Sequence, residues 1–528
     1  MDRLHELNFV LALAPAALMA AAALQAGYGR APVPRLWRRF HALTWAALVF
    51  SLLALGSQLA LVPAGEGRGG AGWLAPGLFG AWVSLLVQLL GTAIGRYSAN
   101  HLRGEPRQPV YVTALAAVLA AVHLLLLADH WIVLIAAWGA IGQAMHPLLC
   151  FYGDRPFALL AAHKKRVADR VADGLLAAAA ALAWSQAGSG SLSDLWAYIA
   201  AGHASAPLAW SGICLALAVI ARTALMPVHG WLVQVMEAPT PVSALLHAGV
   251  VNLGGYVLVL FAPLLGVSPA ARWLLVIAGL ASAVVAGLVL LTRVSQKVHL
   301  AWSTIAQMGF MLLECGLGLY LFAALHLLGH SLYKAHNFLN ASDAVRECGR
   351  KLATGEAVNS GVSMAAAVPT ALAVVVAVQH AWGEAAWPWW WSGVLALAWA
   401  PLLWIPRAAR PGEVAGRLAA ALGMAACLTL AAGILDHAPI GARNEPLDAA
   451  GIAALAGMGL MYLGTVAFQR WPRPLTAVRR WVYAGFYLDE GYTHWVLALW
   501  PTPWAGAGRE PAPPSWSPRG AACGRSGS

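Results

Sequence analysis

Apolar runs of roughly 17 to 25 residues, separated by short polar stretches, recur along the chain from Leu7 to Phe468. At 1.5 Å per residue each can cross a hydrocarbon layer as a helix. The alternating apolar and polar positions of a membrane β-barrel are absent, so the spans read as α-helices. Fifteen are expected, at 7–26, 42–62, 73–94, 110–128, 131–151, 168–188, 207–227, 241–265, 273–292, 299–317, 319–340, 361–380, 389–406, 418–435 and 450–468. The pattern predicts an all-α, polytopic membrane helix bundle over residues 1–470. After it, 471–500 reads as a basic-then-aromatic amphipathic segment at a membrane interface, and 501–528 has the Pro-, Gly- and Ser-rich composition of a disordered tail.

Composition agrees, with 60% hydrophobic and 10% charged residues, whereas soluble domains carry about a quarter charged. The net charge of +11 does not point to nucleic acid, because its distribution follows topology. Arg35, Arg38 and Arg39, then Arg96, Arg103 and Arg107, then Lys164, Lys165 and Arg166 fall in every second loop, and the alternation continues to Arg479 and Arg480. The N-terminus and the loops between hold only Arg3, Arg68, Arg272 and Arg443. The positive-inside rule then puts the basic loops and the C-terminus in the cytoplasm and the N-terminus outside. The first apolar run has no small-residue cleavage site leading into a soluble domain, so it reads as a span. Only Arg170, Arg222 and Lys334 remain as basic residues within or at the edge of spans, where a charge requires a partner or a function.

The six cysteines are scattered without metal-ligand or disulfide spacing, and no nucleotide-binding glycine loop appears. No metal, redox centre or other cofactor is expected, nor any catalysis by this chain itself. Energy would come from an ion gradient or a partner.

The stretch AALHLLGHSLYKAHNFL sets His326, His330 and Lys334 four residues apart inside an apolar run. Residues at i, i+4 and i+8 share one face of a helix and climb about 12 Å. Titratable groups at that depth make an ion or proton path, or else fasten helices together. Pro227, Pro239 and Pro241 predict a break in the helix carrying Arg222, with a short re-entrant piece that lets Arg222 and His247 face each other. Glu314 is a further candidate carboxylate, either within the membrane or in water at its helix end. Trp387, Trp389, Trp390 and Trp391 cluster beside a span end and read as an interfacial belt.

These stretches resemble the antiporter-like subunits of respiratory complex I, nearest the large L-type subunit. The similarity covers roughly residues 110–345: ADHWIVLIAAW, K-x5-R-x2-D at Lys164, Arg170 and Asp173, the broken-helix region from Arg222 to Val259, KVHLAWSTIAQMGFMLL, and H-x3-H-x3-K at His326, His330 and Lys334. The chain departs from the pumping subunits where they have a Trp-Glu pair, since Trp138 is followed by Gly139. Where they have a lysine it has Arg222, which can only be a fixed charge. The later lysine helix and the long lateral helix have no counterpart.

With those departures, AWSTIAQMGFMLLECGLG, HSLYKAHNFLNAS and the YLDE-containing segment resemble the DabB family, the membrane subunits of two-component inorganic carbon pumps in bacteria. The resemblance implies a multi-pass protein of the cell inner membrane that passes H⁺ or Na⁺ down its gradient. A peripheral zinc-containing DabA-like subunit would then hydrate carbon dioxide to bicarbonate. It implies ion translocation through Lys334, His330, His326, His247 and Arg222, and a cytoplasmic-side ion pair of Asp173 with Arg170 and Lys164. Two other functions fit the residues: a proton-pumping subunit of a complex I-like or multisubunit antiporter assembly, and a non-conducting scaffold for a peripheral enzyme.

Overall fold

The computed structural model describes residues 2–29, 31–61, 72–341, 359–382 and 387–502, so the expected disordered tail lies almost wholly outside the described residues. The first helices are α1 (Asp2–Tyr28), α2 (Val33–Leu61), α3 (Leu78–His101), α4 (Gln108–Leu126), α5 (Trp131–Leu149) and α6 (Pro156–Ala187). Next come α7 (Leu192–Ala200), α8 (Ala206–Arg222), α9 (Gly230–Gln234), α10 (Thr240–Ala248), α11 (Leu253–Leu260) and α12 (Ala262–Gly266). The remainder are α13 (Pro269–Leu290), α14 (Gln296–Leu317), α15 (Tyr320–Leu339), α16 (Gly361–Trp382), α17 (Trp389–Trp399), α18 (Pro411–Asp436), α19 (Asp448–Arg470), α20 (Thr476–Tyr483) and α21 (Leu488–Leu499).

Each expected span falls on one of these helices, the run 241–265 being shared by α10, α11 and the start of α12. Among the described residues eleven stretches are long and apolar enough to cross a membrane, and α8 and the region of α17 are shorter apolar helices. The outward side chains of the bundle are apolar, with Ile277, Leu460 and Leu463 each more than 60% exposed, as a lipid-facing surface requires. The protein is an all-α polytopic membrane bundle.

Local chemistry sets the helix ends. Ser191 and Ser205 cap α7 and α8 by accepting from the N–H groups of Asp194 and Leu208, and Pro207 occupies the first turn of α8. Helix α6 begins twelve residues before its expected start at 168, because Pro156 opens it and its basic residues find partners that let them enter the bundle. Gly318, at φ 79°, separates α14 from α15 in the left-handed conformation that favours glycine. There the Glu445 N–H donates to the Gly318 carbonyl at 2.7 Å, a backbone approach with no room for a side chain.

Helices α13 and α14 pack backbone to backbone. A Cβ at Gly279 would meet the Gly309 carbonyl at 2.6 Å, and one at Gly309 would meet the Ala283 nitrogen at 2.7 Å. Small residues of this kind let membrane helices approach closely. Gly309→Val is therefore expected to destabilise the protein by at least about 2 kcal/mol, read as a lowered unfolding temperature in detergent. An unchanged midpoint would mean that the seam yields.

One expectation is corrected. Of the tryptophans read as a belt, Trp389 is 65% exposed, but Trp390 and Trp391 are buried. Trp390 Nε1 donates to Asp448 at 2.9 Å, and Trp391 packs on Phe310 and Phe322. With Asp448 as partner for its N–H, the Trp390 indole is as much core as interface.

Two interruptions shape the interior. After Arg222 the chain leaves the helix through Thr223–His229, with Ala224 at φ 55°, and passes through α9 and a 3₁₀ turn, Val235–Glu237, to α10. A second break falls at Gly249 and the 3₁₀ turn Val250–Asn252. On the face opposite the basic loops a cavity of about 680 Å³ is lined by His5, Asn8, Gln58, Tyr320, Arg443 and Glu445, among others.

Candidate functional site

Helix α15 turns one face inward, with His330, Ser331, Lys334 and Phe338 buried while Leu332 and Tyr333 point outward. The four-residue spacing thus becomes a buried line. Lys334 is fully buried, and its ammonium donates to the Leu300 carbonyl at 3.0 Å and the Ser303 hydroxyl at 2.8 Å, both on α14. Among the described residues no carboxylate pairs with it. Desolvating an ammonium against neutral acceptors alone is costly, which distinguishes this lysine from an ordinary structural ion pair.

His330 stands one turn away, its two ring nitrogens without a hydrogen-bond partner and its ring centroid 5.9 Å from that of His326. His326 Nδ1 lies 2.8 Å from Glu314 Oε2. Glu314 is 4% exposed, so it is a buried carboxylate and not a helix-end group in water. His247, fully buried on α10, stacks on Phe338 at 4.6 Å, and both its ring nitrogens also lack partners. It and Lys334 lie within electrostatic reach of His330. Asn252, on the second break, donates to Ser331 at 2.7 Å and fastens the interrupted helix to α15.

A second cluster surrounds the first break. Arg222, the last residue of α8, donates to the Trp138 carbonyl at 2.9 Å, lies over the Trp138 ring at 4.7 Å and pairs with Asp173. Arg170 takes the other oxygen of Asp173 at 3.0 Å. One turn earlier Lys165 pairs with Asp169 at 2.5 Å, and Asp169 fits because Gly142 carries no side chain. At Gly139 an added Cβ would meet nothing within 4 Å.

Two expected pairings do not form. Lys164 does not join Asp173, because nine residues place it about 14 Å along α6 and on the opposite side of the helix. It pairs instead with Asp489 on α21 and donates to Thr493 at 2.8 Å. Nor do Arg222 and His247 meet across the break, since Arg222 turns to α5 and α6 while His247 turns to α15.

The fold and the two clusters can be set beside known proteins. The family described as NADH:quinone oxidoreductase/Mrp antiporter, TM, matches residues 128–388, which hold every candidate residue named so far except those of α21. The probable inorganic carbon transporter subunit DabB of Hydrogenovibrio crunogenus is 33% identical over 482 residues, 81% of this chain and 86% of the relative. The chain belongs to the DabB family. A second relative, the probable inorganic carbon transporter subunit DabB2 of Halothiobacillus neapolitanus, is 41% identical over 348 residues, 64% of this chain and 63% of its own length. A chain in the structure of the Mrp complex from Dietzia sp. DQ12-45-1b has the same fold, with a TM-score of 0.58 at 19% identity, covering 94% of this chain and 61% of that one. In this DabB-family chain Asp173, on α6, is the carboxylate that pairs with Arg222.

The sequence reading missed several members of the two clusters. Ser303 had no pattern to mark it. His299 and His229 carried only the weak signal of lone histidines. His299 lies within electrostatic reach of Lys334, and His229 is buried in the first break against Trp302, its Nε2 without a partner. Asp489 stood inside a segment read as an interface anchor, 325 residues from Lys164.

Proposed function

We propose that this chain is the cation-translocating membrane subunit of an inorganic carbon uptake complex in a bacterial inner membrane. Its N-terminus would face the periplasm and its C-terminus the cytoplasm. Protons, or sodium ions, run down their gradient through it and drive a peripheral zinc-containing partner that hydrates carbon dioxide. The observation that carries the reading is the buried, carboxylate-free ammonium of Lys334 at the end of a line with His330, His326 and Glu314. Buried polar atoms without protein partners are the ones water satisfies, and the partnerless imidazoles of His330 and His247 can take up and release protons.

In this reading the cavity beside Tyr320 is the periplasmic mouth, six residues or about 9 Å from His326 along α15. Glu314 and His326 receive the ion, His330 and His247 pass it on, and Lys334 releases it toward His299 and the basic face. Arg222, with Asp173 and Arg170, holds a fixed charge at the first break. A guanidinium keeps its proton, so that cluster sets the field around the path and does not shuttle. This favours gradient-driven uptake over a pump that needs an exchangeable lysine where Arg222 stands.

The test is purification in mild detergent followed by complementation. The expected result is a co-purifying soluble protein that contains zinc, with the pair restoring growth in air to a carbonic-anhydrase-deficient host. Co-purification with further antiporter-like membrane subunits and no such growth would favour a pump. Growth that persists when the gradient is collapsed would reduce the chain to a scaffold.

A further inference from the structure

Lys164 is the second fully buried lysine among the described residues, and the conduction path along α15 does not use it. Its only hydrogen-bonding side-chain partners among the described residues come from α21: the Asp489 carboxylate and the Thr493 hydroxyl. Its neighbour Lys165 is already occupied by Asp169. The pairing is built on several sides. The second oxygen of Asp489 accepts from Gln234 Nε2 at 3.2 Å, and Thr493 donates to the Asp489 carbonyl at 2.7 Å. Tyr492 donates to the Lys164 carbonyl at 3.2 Å. A Cβ at Gly230, the first residue of α9, would fall on the Asp489 carboxylate and 2.7 Å from Lys164 Nζ, so the break itself supplies the cradle.

The corner before α21 is specialised too. Gly485, Phe486 and Tyr487 all have positive φ, a conformation costly for the two aromatic residues, and it aims the first turn of α21 at α6. Exposure falls steeply across the pair, the Asp489 side chain being 28% accessible and that of Lys164 wholly buried. His229 lies within electrostatic reach of both, one residue before the cradle, with a free ring nitrogen turned into the buried interior.

We infer that Asp489 and Lys164 form a proton port on the basic face, with α20 and α21 supplying its water-facing half. The inference rests on the conduction reading and takes the proton as the ion. On exit an N–H bond of the Lys164 ammonium breaks as an O–H bond forms on Asp489. The carboxylic acid then releases its proton to water, and the neutral amine takes the next proton from the interior, with His229, within electrostatic reach, as the donor. The C-terminal segment is thus a working part of the path as well as an anchor.

Proton flux into proteoliposomes under a potassium-diffusion potential, read with an internal pH dye, tests this on the full chain. Asp489→Asn is expected to cut flux at least about tenfold, while Asp489→Glu keeps it within about threefold, since a proton-transfer step needs the carboxylate and not its exact reach. The double variant Lys164→Gln with Asp489→Asn removes the buried charge together with its partner, so it should fold and purify like the wild type yet remain as slow as Asp489→Asn. A double variant that conducts at the wild-type rate makes the pair a structural clasp and overturns the port while leaving the α15 path standing. A wild-type chain that passes only sodium ions overturns the port alone, and one that passes neither protons nor sodium ions overturns the conduction reading and the port with it.

Discussion

Lys334→Met is expected to abolish gradient-driven transport while leaving the protein at least as stable as the wild type. The wild-type ammonium is fully buried and donates only to the Leu300 carbonyl and the Ser303 hydroxyl. Methionine fills nearly the same volume without a charge to desolvate. Replacing a buried charge by a well-packed apolar side chain is neutral or stabilising by about 1–4 kcal/mol. The unfolding midpoint in detergent should therefore hold or rise, while flux falls about a hundredfold or to background, the loss expected when a proton-transferring group is removed. Were Lys334 only a fastener, stability and flux would fall together. That paired loss, with function recovered in proportion to folded protein, would sink the reading.

Asp173→Asn is expected to do the opposite, lowering stability first. Its carboxylate faces Arg222, whose side chain is 4% exposed and leaves Nε without a partner. Removing one member of a buried pair strands the other, at about 3–5 kcal/mol. The folded fraction after extraction should drop, and the double variant Asp173→Leu with Arg222→Met should restore it. Arg170→Ala, which removes the 43% exposed partner of the same carboxylate, should cost about 1 kcal/mol or less. Thermal unfolding of the four proteins checks the ordering, and an Asp173→Asn protein as stable as Arg170→Ala would mean that the pair is solvated.

The layout of the bundle was legible because lipid imposes it. Every long apolar run had to become a helix, and prolines 227, 239 and 241 had to interrupt one where the interior could absorb loose backbone groups. The inward stripe of α15 followed from spacing alone, since four-residue steps hold one face whatever packs against it. What packs against it did not follow. The contact of Glu314 with His326 needs the tight corner at Gly318 that lays α14 beside α15. The partner of Lys164 was misread as Asp173 because charges on one helix invite local pairing, yet nine residues put the two side chains on opposite sides of α6. Trp390 and Trp391 were misplaced for a related reason, as clustering shows amphipathic character but not which rings turn into the bundle.

The glycine seam between α13 and α14 constrains how the molecule can move. With backbone touching backbone at residues 279 and 309, α14 has no slack to tilt or slide, so Glu314 and Ser303 are stationary landmarks on a rigid wall. Any exchange of access between the two sides of the membrane then falls to the hinges at 223–229 and 249–252, and to α15, which Asn252 ties to the second of them. The yielding half of the machine carries His247, His330 and Lys334, and the unyielding half carries Leu300, Ser303 and Glu314, which meet Lys334 and His326.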